Sequence, residues 1–129
     1  MFKRLNRGDG RTENTTLDIA KLESEFKSCQ KLLNAIGDET RQRLICIMLE
    51  GSCSGDRAVD IAERTNLSRP AVSHHLQILK DAGFVKSRKE GTCIYYYLAP
   101  DEDEMRKLGD LVEDIQCIMD NAPDRSGES

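Results

Sequence analysis

Between Leu67 and Lys80 the chain reads Leu-Ser-Arg-Pro-Ala-Val-Ser-His-His-Leu-Gln-Ile-Leu-Lys, and few folds accommodate that pattern. Stepped at the helical period of about 100° per residue, Val72, His75, Leu76 and Leu79 fall on one face. Pro70, Ser73, His74 and Gln77 fall on the opposite one. Ser68 suits an N-cap, and Pro70 lies in the first turn, where its missing N–H costs no bond the helix needs. A face that served only solubility would carry Glu and Lys. This one carries hydroxyl, imidazole and carboxamide, which predicts a helix with an apolar back and an outer face built for contact.

The flanking segments narrow the kind of contact. Ala58 to Leu67 predicts a short helix with Val59, Ile61 and Ala62 inward, then a tight turn at Thr65-Asn66. Two short helices joined in this way make a helix-turn-helix, whose second helix enters a DNA major groove with its N-terminal residues leading. After the second helix, Gly83 suits a left-handed C-cap. Phe84 to Arg88 and Thr92 to Leu98 predict two strands around Lys89-Glu90-Gly91, where Gly91 permits the positive φ of a tight hairpin. A hairpin carrying Lys86, Arg88 and Lys89 beside a helix-turn-helix is a basic wing.

Leu67 to Leu76, followed by Leu79, Ala82-Gly83, Val85, Arg88, Gly91 and Tyr96-Tyr97-Leu98, resembles the ArsR/SmtB family of winged-helix repressors. Ala35 to Arg41 also resembles that family's entry into its second helix, so the likeness runs from about Leu32 to Leu98. The resemblance implies a dimeric transcriptional regulator that responds to a small ligand. Periodicity alone implies only a winged helix on DNA.

A net charge of −4 at first argues against a nucleic-acid partner. Its distribution removes the objection, because residues 101–129 hold ten acidic and three basic residues. The remainder carries a small positive excess, concentrated on the hairpin and on Lys3, Arg4, Arg7 and Arg11. For DNA the local patch outweighs the sum. At 129 residues the chain is long enough for one domain with a modest core. No segment has the apolar length of a membrane span, and residues 1–7 lack the apolar centre of a signal peptide, which points to the cytoplasm.

Residues 1–15 read as a flexible basic arm, 16–122 as the folded domain, mainly α with one small hairpin, and 123–129 as a disordered tail. From Thr16 to Ile36 the apolar residues form one helical stripe that includes Ile19, Leu22 and Phe26. Asp38 suits the N-cap of a second helix running to about Glu50, apolar on nearly every side and therefore central and buried. Gly51 to Asp56 is a loop by composition. The last helix, about Glu102 to Asn121, carries a stripe with Leu108, Leu111, Val112, Ile115 and Ile118. A domain of this size has little room to bury two such stripes. In the resembled family these helices form the dimer interface; the alternative is that they complete one protomer's core.

The resemblance also bears on what is sensed. The family's best-known metal site places two thiolates at the start of the first helix of the helix-turn-helix; here Arg57 and Val59 stand at those positions. A second family site draws histidines from the last helix, whereas the two histidines of this chain are His74 and His75. No CxxC or HxxxH occurs, so no metal and no cofactor is expected, and no inducer is identified. A thiol-sensing branch of the family carries a cysteine in the second helix and another in the last, where Cys46 and Cys117 lie. Cys117, however, falls beside Asp110 and Glu113, away from the apolar stripe. Cys53 lies accessible in the Gly-flanked loop, so Cys46, Cys53 and Cys117 are the candidate thiols of an alternative in which the repressor senses persulfide, oxidant or arsenite. Cys29 sits in the first stripe as a small apolar filler, and Cys93 on a wing strand without a clear partner.

Two other classes compete. A cysteine nucleophile with His74 or His75 as base would need a thiol within hydrogen-bond reach and an oxyanion-stabilising group. Neither histidine has a cysteine one turn away, so catalysis is not expected. A protein-binding winged helix would replace the basic wing and the polar outer face with apolar groups. Ser68, Arg69, Pro70, Ser73, His74, Gln77, Lys86, Arg88 and Lys89 therefore form the candidate interface for a double-stranded, palindromic DNA operator read by a homodimer.

Overall fold

A computed structural model describes residues 15–123 together with 126 and 127, and the side chains of these from residue 18 onward. The basic arm expected over residues 1–15 lies almost wholly outside the described residues, as does part of the expected tail. The elements in order are α1 (Thr15–Ser28), α2 (Gln30–Ile36), α3 (Glu39–Glu50), α4 (Ala58–Glu63), α5 (Arg69–Asp81), β1 (Val85–Glu90), β2 (Cys93–Leu98) and α6 (Glu102–Asp120). Within the described residues there are two compact units, Gln30–Met105 and the segments on either side of it.

The unit Gln30–Met105 is a winged helix-turn-helix. Asp38 caps α3 by accepting the Arg41 backbone N–H at 3.0 Å, and this bond holds its carboxyl below the usual carboxylate range. The core draws Leu32 and Ala35 from α2, Leu44, Ile47 and Met48 from α3, Ile61 and Ala62 from α4, Val72, Leu76 and Leu79 from α5, and Val85 from β1. Each fully buried aliphatic side chain contributes about 1.5–3 kcal/mol. α3 is less enclosed than its composition suggests. Cys46 is exposed and Leu49 is 71% exposed, because apolar residues on consecutive positions of a helix cannot all face one core.

The hairpin is antiparallel, pairing Val85 with Leu98 through to Glu90 with Cys93. The strands run to Glu90 and start at Cys93, so the loop is the two residues Gly91 and Thr92, rather than the longer one expected. Gly91 has φ 64° and, among the described residues, no non-glycine residue has positive φ, the pattern of a type II′ turn with glycine first. The outer edge of β2 is tied to the α3–α4 loop. Asp56 N–H donates to Tyr96 O at 2.9 Å, and Tyr96 N–H to Asp56 O at 2.8 Å. A segment that reads as plain loop thus anchors the wing.

The other unit pairs α1 with α6 from Arg106 onward. The helix expected over 16–36 is interrupted at Cys29. The Cys29 N–H is shared between Glu25 O and Phe26 O at 3.1 and 3.2 Å, and the Ser28 hydroxyl donates back to Glu25 O. This tightened turn ends α1, and α2 starts afresh at Gln30. Leu22, Leu108, Ile115 and Ile118 are half-buried, while Ile19, Phe26, Val112 and Met119 are exposed. Leu111, placed by its stripe at a dimer interface, is only 2% exposed within the single chain. Lys21 Nζ lies 3.8 Å from Asp114 Oδ2. Burial, and then its hydrogen bond to Asp114, push the Glu25 carboxyl up to about 7.

Candidate nucleic-acid interface

α5 is positioned from both ends. Ser68 Oγ accepts the Ala71 N–H at 3.2 Å, and Pro70 stands in the first turn. At the other end Gly83, with φ 81°, donates to Lys80 O, and Phe84 N–H donates to Leu79 O. That pair of bonds is the Schellman stop, and it needs the left-handed residue that glycine adopts without penalty. The turn before α5 is built on Thr65, whose hydroxyl donates to Ala62 O and accepts the Leu67 N–H. The inner face is buried as the periodicity requires, with Val72, Leu76 and Leu79 at 0% exposure.

The outer face is open. Ser68, Arg69, Pro70, Ser73, His74 and Gln77 are all exposed. Ala58, Arg69, Pro70 and Ser73 line an open cleft where the starts of α4 and α5 meet. Few backbone donors remain at the α5 N-terminus. Pro70 brings none, Ala71 N–H is bonded to the Ser68 side chain, and Val72 N–H to Ser68 O. An anion there would meet the Arg69 N–H, the Ser68 hydroxyl and the Arg69 guanidinium, backed by the partial positive charge of the helix end. Gln77 Nε2 donates to Asp81 Oδ1 at 2.8 Å, leaving its carbonyl and second N–H for another partner.

The wing cations do not share one face. Lys86 and Arg88 alternate with Lys89 along β1, and their cross-strand partners are Tyr97, Tyr95 and Ile94. Lys86 and Lys89 are exposed. Arg88 is half-buried, donates to Glu90 Oε2 at 2.7 Å, and sets its guanidinium carbon 5.1 Å from the Tyr95 ring centroid and 5.9 Å from that of Tyr97.

His75 belongs to neither face. It is half-buried, and its Nδ1 lies 3.2 Å from Arg41 Nη1. Burial, and then the Arg41 charge, hold the imidazole below its usual pKa. Helical periodicity places His75 on the inner face, but a partner 34 residues away on α3 carries no local signal.

Arg57 pairs with Asp60 at 3.2 Å and reaches Cys93 Sγ at 4.0 Å, so Cys93 has the partner that its strand position did not suggest. Cys46 and Cys53 are exposed, Cys117 is half-buried and Cys29 is buried. Among the described residues no disulfide joins the cysteines, and no group of three His, Cys, Asp or Glu residues could hold a metal ion. No helix among them is long and apolar enough to cross a membrane.

A family model described as bacterial regulatory protein, arsR family, matches residues 38–87, the stretch holding α3, α4, α5 and the start of β1. The chain is 34% identical over 92 residues to an uncharacterized HTH-type transcriptional regulator of Methanocaldococcus jannaschii, covering 70% of this chain and 98% of that one. It is 40% identical over 67 residues to the transcriptional repressor SdpR of Bacillus subtilis, covering 52% and 71% of the two. Among solved structures, an ArsR-like transcriptional regulator from Rhodococcus sp. RHA1 matches with a TM-score of 0.62 and 27% identity, over 74% of this chain and 83% of that one.

Proposed function

Because the chain belongs to the arsR family of bacterial regulatory proteins, and is thus a DNA-binding transcriptional regulator, we propose that it represses transcription as a cytoplasmic homodimer bound to a palindromic operator. The observation that carries this reading is the outer face of α5. Arg69, Ser73, His74 and Gln77 stand exposed on a helix that buries Val72, Leu76 and Leu79 on its opposite side. Arg can pair bidentately with guanine and Gln with adenine, each pairing worth about 1–3 kcal/mol of discrimination. Lys86 and Lys89 serve phosphates, which supply affinity without sequence information. Arg88 does the same from a braced position. Ser68 adds a hydroxyl at the helix N-terminus.

Dimerisation follows from the exposed apolar residues of the α1–α6 unit. Ile19, Phe26, Val112 and Met119 lie on two adjoining helices and remain uncovered in one chain. On the same helices Leu22, Leu108, Ile115 and Ile118 are half-buried and Leu111 is buried. The reading assigns no catalytic step, metal or inducer.

In vitro selection from a random duplex library tests it. The recovered sequences should be inverted repeats with half-sites about one helical turn apart or a multiple of it, as a two-fold axis demands. Recovery of no enriched sequence would overturn the reading and leave protein docking as the use of the α5 face.

A further inference from the structure

Arg41, in the first turn of α3, has a partner at each of its three guanidinium nitrogens. Its Nε donates to Ala35 O at 2.7 Å and its Nη2 to Asn34 O at 3.1 Å, while neighbouring Gln42 Nε2 donates to Ile36 O at 2.8 Å. These are last-turn carbonyls of α2, which no donor of that helix can reach. The remaining arm, Nη1, meets His75 Nδ1 on α5. One guanidinium therefore links the end of α2, the start of α3 and the middle of α5.

A guanidinium has donors only. Nδ1 must therefore offer its lone pair, and the neutral ring carries its proton on Nε2. Protonation of Nδ1 would set an N–H against an N–H and a second positive charge beside the first. The charged or titratable groups that face the ring are Arg41, Asp38 at the cap of α3, and His74 on its own helix; Asp38 alone favours the imidazolium.

We propose that Arg41 is a positioning residue for DNA reading, fixing α5 against α2 and α3 through a His75 ring that must remain neutral, so that acid loosens the recognition helix. The inference rests on α5 being the groove-facing helix. Because burial and Arg41 hold the imidazole below its ordinary value, the tie is intact above about pH 6.5 and is lost as pH falls through the lower folded-state value. The buried contacts of Val72, Leu76 and Leu79 keep α5 in the fold, so acid costs orientation rather than folding.

The test uses the full-length protein and the duplex that wild type recovers by selection at pH 8. His75→Gln retains an acceptor for Arg41 and cannot take the charge. It should bind the duplex at pH 8 within about threefold of wild type. Between pH 8 and pH 5.5 wild type should lose up to about tenfold more affinity per protomer than His75→Gln, since a ring of ordinary pKa is then about ten to one protonated once released. Repeating the comparison with His74→Gln in both proteins removes the neighbouring imidazole, 5.8 Å from the His75 ring, from the difference. In parallel, long-range ¹H–¹⁵N spectra at pH 8 should show His75 protonated on Nε2 only, and Arg41→Gln should raise the pH at which His75 titrates. Equal acid sensitivity of wild type and His75→Gln, or a proton on Nδ1 at pH 8, would overturn the inference while leaving the DNA reading intact. Failure to recover any duplex would overturn both.

Discussion

Arg88 donates through Nε to Glu90 Oε2 at 2.7 Å, two residues along the same face of β1. The wing thus carries a cation whose charge is offset by its own neighbour and whose plane rests near Tyr95 and Tyr97. If Arg88 reaches a phosphate, it gives up part of that pairing to do so. Glu90→Gln keeps the shape and removes the charge. It should tighten binding to any duplex and steepen the log–log salt dependence by about 1 to 2 for a dimer, at roughly 0.9 per phosphate. An unchanged slope in a salt titration would place Arg88 off the DNA.

The two faces of α5 should respond differently to truncation. Leu76→Ala leaves a cavity in a core position with 0% exposure and should cost about 2–5 kcal/mol in denaturant unfolding. Ser73→Ala, on the exposed face, should stay within about 0.5 kcal/mol of wild type and be felt in DNA binding instead. Comparable destabilisation by both would mean that the outer face is packed.

Val112 is 47% exposed and Leu111 is buried, so the pair separates assembly from folding. Val112→Asp should lower the sedimentation mass to that of a protomer while the circular dichroism spectrum is kept. Leu111→Asp should unfold the α1–α6 unit. A Val112→Asp protein that still sediments as a dimer would move the interface elsewhere.

The Glu25 carboxyl, raised to about 7 by burial and by Asp114, binds a proton in the folded chain that an unfolded chain releases near 4.5. Its contribution to stability is therefore full below about pH 4.5 and is lost as pH rises through 7. Glu25→Gln never ionises, so its denaturation midpoint should fall less than that of wild type between pH 5 and pH 8. Parallel pH profiles would show that the two carboxyls do not share a proton.

Much of this was legible in the residues, and the remainder has identifiable causes. α5, its N-cap Ser68, its stop at Gly83 and the capping of α3 by Asp38 are local matters of period and short side-chain bonds. The break at Cys29 was hidden because the apolar stripe continues across it, and only a shared backbone N–H marks the end of α1. Consecutive apolar residues in α3 suggested burial that one helix face cannot supply, hence the exposed Leu49. The Asp56–Tyr96 bridge and the Arg41–His75 contact join distant segments, which periodicity does not address. The candidate DNA face was readable because exposure on α5 follows from its period. The bracing of Arg88 was not, since its pairing with Glu90 depends on strand register.

The most direct test of the account is a pair of binding matrices, one for Gln77→Ala and one for Lys86→Ala, each measured over every single-base variant of the selected duplex and over a salt series. Gln77→Ala should relax preference at one base pair per half-site by about 1–3 kcal/mol and leave the salt slope alone. Lys86→Ala should weaken every sequence by a similar factor and lower the slope by about 1 to 2 for the dimer. The reverse pattern, with Lys86 setting base preference and Gln77 the salt slope, would contradict the assignment of groove to α5 and backbone to the wing.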